Sequence, residues 1–138
     1  MDEQTIRVKA KRVLKDLECH DKELSILFTD DEHMAVLNRQ YRGKEGATDV
    51  LSFSMLEESG GEGSPAVFES IMLGDVVISV DTALRDAKEL EELFERTVDR
   101  LMIHGILHLL GYDHEKSSVG AIRMREEEER LMTQFEKP

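Results

Sequence analysis

The chain has very little cysteine, no tryptophan and few aromatic residues of any kind. Its 138 residues include one cysteine, Cys19, which excludes an intrachain disulfide and a zinc site built from several cysteines. A single cysteine is typical of proteins in a reducing compartment, and we expect an intracellular location. Aromatic residues make up 5% of the chain and form no recognisable RNA-binding signature of stacking rings.

Long apolar runs and positive charge are also in short supply. No stretch reaches the roughly 20 apolar residues that cross a bilayer, and the polar N-terminus lacks the apolar core of a signal peptide. We therefore expect no membrane partner. Eighteen basic residues against 30 acidic ones give a net charge of −12, which argues against broad electrostatic binding to nucleic acid. A local basic cluster of Arg39, Arg42 and Lys44 is the place where such a contact would be made.

Apolar spacing predicts the order αβαββααα and therefore a single α+β domain over residues 1–138. We expect a small sheet, mixed or mostly parallel, packed against helices. The predicted helices cover residues 4–19, about 31–42 after a cap at Asp30 or Asp31, 82–90 after a cap at Asp81, 93–110 and 119–135. The predicted strands cover 23–29, 48–55 and 72–80, with a glycine-rich loop at 57–65 and a short strand near 67–68.

Some side-chain placements follow from the same patterns. In the second predicted helix we expect Met34, Leu37 and Tyr41 to face inward. We expect Gly74 to mark a β-bulge. Glutamates 126–129 of the last helix are interpreted as a solvated face.

Three of the five histidines fall within eleven residues. His104 and His108 are spaced i, i+4, so they share one face of the predicted central helix. Gly111 stands where a helix often ends in a left-handed residue, and the chain can then turn to bring His114 towards the other two. Burying two imidazoles without partners would cost roughly 1–3 kcal/mol each. The pattern therefore predicts three corners of a tetrahedral zinc site with an open fourth position.

The spacing HxxxHxxGxxH matches the zinc helix of metzincin peptidases in its ligands and its glycine. Gly105, however, stands where those enzymes carry the glutamate that acts as general base. A peptidase would thus lack its base, and we expect the glycine to leave room for a bulkier substrate beside the ion. A fourth protein ligand would have to be Asp113, Cys19, His20 or His33, and we expect Asp113 to orient an imidazole instead.

The stretch from His104 to His114, HGILHLLGYDH, resembles the signature of the YbeY family of bacterial metallo-endoribonucleases. Residues 41–44 (YRGK), 48–53 (TDVLSF) and 73–79 (LGDVVIS) resemble the family as well. The resemblance implies a zinc-dependent, single-strand-specific endoribonuclease of the cytoplasm. It further implies a role in maturing the 3′ end of 16S ribosomal RNA and in late ribosome quality control, with the ribosome or ribosomal proteins as partners.

The resemblance also implies roles for individual residues. His104, His108 and His114 match the zinc ligands, and Arg42 matches the family's functional arginine, whose planar guanidinium suits a phosphate. Arg39 and Lys44 are candidates for steering the RNA backbone. Three imidazoles also suit nickel, copper or iron, and the nucleophile stays open between water and the RNA 2′-hydroxyl. The alternatives are a zinc peptidase or amidase and a non-catalytic, zinc-stabilised factor on the ribosome.

Overall fold

The computed structural model describes residues 2–54, 72–112 and 118–136. Within these ranges it contains five helices and three strands in the predicted order αβαββααα. They are α1 (Glu3–Asp16), β1 (Glu23–Thr29), α2 (Asp31–Arg42), β2 (Val50–Ser54), β3 (Met72–Ser79), α3 (Val80–Glu89), α4 (Phe94–Leu109) and α5 (Ser118–Glu136). The predicted loop at 57–65 and strand at 67–68 lie outside the described residues. Over the described part, no helix has the length and apolarity to span a bilayer.

The three strands form one mixed sheet in the order β1-β3-β2. The pairing of β1 with β3 is parallel and that of β2 with β3 is antiparallel, so the sheet is mixed as predicted but not mostly parallel. In the pairing of β1 with β3, Glu23 lies opposite Met72 and Leu24 lies opposite Gly74, so Leu73 has no partner in the register. This irregularity confirms the bulge expected at Gly74, where a Cβ atom would lie 2.3 Å from the carbonyl oxygen of Phe53.

The central helix is α4, as its apolar circumference predicted. Ten of its sixteen residues are buried, and it packs against β2, β3, α1, α3 and α5. The main core forms around it and includes Val76 and Ile78 of β3 and Leu131 of α5. A helix enclosed in this way has little freedom to move, so side chains on its one less buried face are held in defined positions.

Two helix starts were predicted with mixed success. Asp30 is the N-cap of α2, and its side chain accepts a hydrogen bond of 2.9 Å from the His33 amide. The prediction that Asp81 caps α3 is wrong, because β3 runs directly into that helix and Ser79 provides the cap. Asp81 instead accepts a 3.0 Å bond from the backbone amide of Asp31, which joins the starts of α2 and α3.

The inward face of α2 ends earlier than predicted. Met34 is fully buried and Leu37 is half-buried, but Tyr41 is 60% exposed. Asn38, only 3% exposed, takes the inward position one turn after Met34, and its Nδ2 donates a 2.8 Å bond to the carbonyl of Gly46. The last turn of the helix therefore extends beyond the packed part of the sheet, which leaves Tyr41 at the surface.

Candidate active site

His104 and His108 lie on one face of α4, one turn apart, as predicted. Their Nε2 atoms are 3.1 Å apart, and their ring centroids are separated by 4.6 Å at an interplanar angle of 74°. Both residues are half-buried, whereas their neighbours Gly105 and Leu107 are buried. The helix thus presents two imidazole nitrogens to the same point in space.

The chain turns immediately after this pair. Gly111 adopts a φ of 97°, its amide donates to the carbonyl of His108 at 3.0 Å, and the amide of Tyr112 donates to the carbonyl of Leu107 at 3.0 Å. This pair of bonds is the Schellman motif, which confirms the helix end predicted at Gly111. His114 and Asp113 lie outside the described residues. The expected ligation by His114 and the orienting role of Asp113 therefore stay predictions.

Glu128 of α5 contacts the other side of the His104 ring. Its carboxylate forms a hydrogen bond with Nδ1 of His104, and the two side chains are 19% and 27% exposed. A carboxylate at Nδ1 holds a proton on that nitrogen and leaves Nε2 with its lone pair directed towards His108. The interpretation of all four glutamates as a solvated face is wrong for Glu128.

The sequence contained a signal for this role. Glu128 follows Met124 by four residues and precedes Leu131 by three, and both apolar residues are buried. The three positions share one helical face. The neighbouring Glu126 and Glu129 are exposed, as predicted.

The two histidines fit a metal ion with imidazole ligands. Zinc–nitrogen bonds of 2.0–2.1 Å in a tetrahedron place neighbouring nitrogens about 3.3–3.4 Å apart, close to the observed 3.1 Å. The partner at Nδ1 of His104 is the carboxylate that metal-bound histidines commonly have. Among the residues that the structure describes, no group of three His, Cys, Asp or Glu side chains is placed to hold a metal ion. His104 and His108 are the described part of the predicted set.

Other proposed ligands are engaged elsewhere. Cys19 packs against the core, its thiol contacts the carbonyl of Leu17, and burial raises its pKa. The ring of His33 forms a 2.8 Å hydrogen bond with the hydroxyl of Thr29. Neither residue belongs to the described part of the histidine cleft.

A cleft of about 1000 Å³ opens beside the imidazole pair. One wall is the end of α2 with the loop that follows it, β2 contributes the adjoining surface, and His104 and His108 contribute from α4. Arg42 and Lys44 line this cleft, so the fold brings the predicted catalytic arginine and a predicted substrate-binding lysine to the same space as His104 and His108. Arg39 is exposed but is not among the described residues of the lining.

The charges of the cleft are mixed. Arg42 and Lys44 are exposed, and Glu45 and Asp49 also line the space. The Asp49 side chain is engaged at the beginning of β2, where its Oδ1 accepts a 2.7 Å hydrogen bond from the Val50 amide. The basic side chains at the end of α2 remain as the groups suited to an anionic substrate.

Gly105 has a different role from the one expected. It is buried, and a Cβ atom on it would lie 2.7 and 3.0 Å from the two γ-carbons of Val76 and 3.2 Å from Oγ of Ser52. The Ser52 hydroxyl donates a 2.9 Å hydrogen bond to the carbonyl oxygen of Gly105. The expectation that the missing side chain leaves room for substrate is therefore wrong. Gly105 permits α4 to approach the sheet, and a glutamate would not fit there.

Comparison with known proteins places this geometry in a family. The family model described as endoribonuclease YbeY matches residues 1–136. The endoribonuclease YbeY of Aquifex aeolicus is 46% identical over 128 residues, which cover 93% of this chain and 80% of that protein. The protein of the same name from Syntrophotalea carbinolica is 43% identical over 126 residues, covering 91% of this chain and 81% of the relative.

A solved structure agrees with the sequence comparison. The solution structure of TM1509 from Thermotoga maritima superposes with a TM-score of 0.63 and 27% sequence identity, covering 94% of this chain and 77% of the other. A match over nearly the whole chain, joined to relatives above 40% identity, leads to one conclusion: this chain belongs to the endoribonuclease YbeY family.

Proposed function

We propose that this protein is a zinc-dependent endoribonuclease that cleaves single-stranded RNA in the cleft between α2 and α4. The observation that carries the proposal is that Arg42 and the imidazole pair line one cleft. The family is named for endoribonuclease activity, and the cleft supplies two kinds of group that metal-assisted phosphodiester cleavage uses. These are a cation that binds phosphate and ligands for a metal ion.

Each residue has a stated part in this proposal. His104, His108 and His114 would hold the zinc ion, which when bound would act as a Lewis acid on a phosphate oxygen. Arg42 is exposed at the cleft, and its planar guanidinium can donate to two phosphate oxygens at once. Glu128 orients the ring of His104 and keeps its proton on Nδ1. Lys44 attracts the RNA backbone as a point charge.

We further propose ribosomal RNA as the substrate, with cleavage at the 3′ end of 16S RNA and a part in late ribosome quality control. A net charge of −12 repels RNA from most of the surface, so the cleft is the favoured point of contact. Selection of the RNA would then depend on the ribosome or ribosomal proteins as partners, in the cytoplasm.

The peptidase alternative loses support from the packing at Gly105. The helix shares its histidine spacing with metzincins, but position 105 faces Val76 and not the cleft centre, so it offers no place for their general base. The family match supports neither a peptidase nor a non-catalytic factor.

The test uses purified protein, single-stranded RNA and measurement of bound metal by mass spectrometry. Arg42→Ala is expected to reduce cleavage by at least about 100-fold, the usual cost of removing one group that stabilises developing charge, and to retain its metal. Arg39→Ala removes the same charge one turn away. It is expected to reduce RNA binding at low salt only, because Arg39 lies outside the described lining of the cleft.

The histidines are tested in the same assay. His104→Ala is expected to lose both metal and cleavage, while His33→Ala, which changes a surface histidine on α2, is expected to keep both. Cleavage by Arg42→Ala at the wild-type rate would refute the phosphate contact. Turnover of a peptide without any cleavage of RNA would refute the proposed substrate class.

A further inference from the structure

Tyr41 is an aromatic side chain left open to solvent beside the catalytic cleft. It is 60% exposed and lines the same space as Arg42, His104 and His108. Among the described residues it is the one exposed large apolar side chain that belongs to this lining. An exposed apolar surface beside an active site is suited to contact with a ligand.

The ring is held in place although most of it is open. It makes an edge-to-face contact with Phe53 of β2, with ring centroids 5.2 Å apart and an interplanar angle of 72°. Phe53 is itself packed against Leu51 and Val77 in a small second core. Tyr41 also follows Asn38 by one turn, and the buried Asn38 ties α2 to the loop at Gly46. A ring anchored by one edge contact offers a flat apolar face at little cost in side-chain entropy.

We propose that Tyr41 is a stacking platform for one unpaired nucleobase of the RNA whose phosphate Arg42 binds. This inference rests on the proposed function and adds how the cleft recognises its substrate class. Every nucleobase has a π-face, so a single aromatic ring accepts any base without sequence preference. Arg42 lines the same cleft, so the cleft offers a cation for the backbone as well as a ring for the base.

Stacking on Tyr41 would account for the preference for single-stranded RNA proposed above. A base in a duplex is paired and stacked on its neighbours, so turning it out costs free energy of both pairing and stacking. An unpaired base has no pairing to break, so the cost of turning it out is smaller. The ring therefore selects RNA whose bases can be turned out into the cleft. Sequence reasoning missed this residue because one tyrosine does not make an aromatic RNA-binding signature and the helical spacing predicted an inward position.

The test compares Tyr41→Ala, Tyr41→Leu and Tyr41→Phe in the metal-loaded enzyme under single-turnover conditions. The alanine variant is expected to raise the RNA concentration that gives half-maximal rate by about 5- to 150-fold, the range for one base–aromatic stack. Leucine keeps an apolar contact with Phe53 but has no flat face, so it should behave like alanine. Phenylalanine keeps the ring and should bind RNA like the wild type.

Val36→Ala is the matched control, since Val36 is exposed on the same helix and outside the described lining of the cleft. It should leave the RNA concentration at half-maximal rate unchanged. Circular dichroism and thermal unfolding check that each variant folds. If Tyr41→Ala does not fold, the leucine variant decides.

An RNA series with one abasic nucleotide moved along the strand locates the contact. At one position the abasic residue should weaken binding to the wild type and have no further effect on Tyr41→Ala, because base and ring belong to the same contact. Equal binding by Tyr41→Ala and wild type, or equal loss in the phenylalanine and alanine variants, would overturn the inference while wild-type cleavage keeps the proposed function. Absence of RNA cleavage by the wild type would overturn both.

Discussion

Replacing Gly105 with alanine would place a methyl group where Val76 already packs. The new Cβ would lie 2.7 and 3.0 Å from the two γ-carbons of Val76, both under or at the limit of real contacts. Rotation about χ1 of Val76 can remove at most one of these contacts, because every staggered rotamer keeps a methyl in at least one of the two positions that face the glycine. Val76 is fully buried, so β3 or α4 must shift to admit the methyl group.

Overpacking of a core costs about 1–3 kcal/mol, and alanine in a helix recovers about 1 kcal/mol relative to glycine. We expect Gly105→Ala to lose up to about 2 kcal/mol of unfolding free energy. Urea unfolding followed by circular dichroism measures this loss. For a slope of about 2 kcal/mol per molar, the midpoint should fall by up to about 1 M.

A double-mutant cycle with Val76→Ala separates packing from other causes. Val76→Ala removes both methyl groups that face position 105, so the double variant should lose less than the sum of the single variants by roughly 0.5–2 kcal/mol. A stabilised Gly105→Ala, about 1 kcal/mol above wild type as propensity alone predicts, would refute the packing. An altered RNA cleavage in that stable variant would restore a place for Gly105 beside the substrate.

Two further perturbations test charged contacts. Glu128→Gln should weaken metal binding by about 10- to 100-fold, the usual effect of losing a carboxylate behind a metal-binding histidine, as measured by competition with a chelator; unchanged affinity would contradict its role. Lys9→Met removes the partner of buried Asp99, 2.9 Å away, and should cost about 3 kcal/mol at pH 7. Burial raises the Asp99 pKa above 3.8, so protonation in acid should reduce that cost, and a pH-independent loss would refute this assignment.

Local patterns predicted the fold well where one surface of an element is buried along its whole length. The bounds of β1 at residues 23–29 were confirmed, and α4 was identified as the central helix from its apolar circumference. The cap at Asp81 failed because the alternative, Ser79, belongs to a strand that continues without a loop into the helix. The apolar period of a strand identifies the strand, and that of a helix identifies the helix. Neither period shows whether a loop separates the two elements.

The site was predicted in part. Spacing alone placed His104 and His108 together, because residues four positions apart on a helix lie on the same face, one turn apart. Glu128 and Tyr41 depended on contacts between distant elements, α5 with α4 and α2 with β2. Gly105 was correctly identified as an important position, but its role was not. That role is to admit Val76, which lies 29 residues earlier in the chain and faces Gly105 across the helix–sheet interface.

The bond between His104 and Glu128 has a consequence for the order in which the site forms. The carboxylate comes from α5, which follows α4 in the chain, so a nascent chain that ends before α5 carries both imidazoles without the group that settles which nitrogen holds the proton. Under the proposed function, the protein is synthesised on a particle made of its own substrate class. Docking of α5 would then complete the site only after the chain has passed this point.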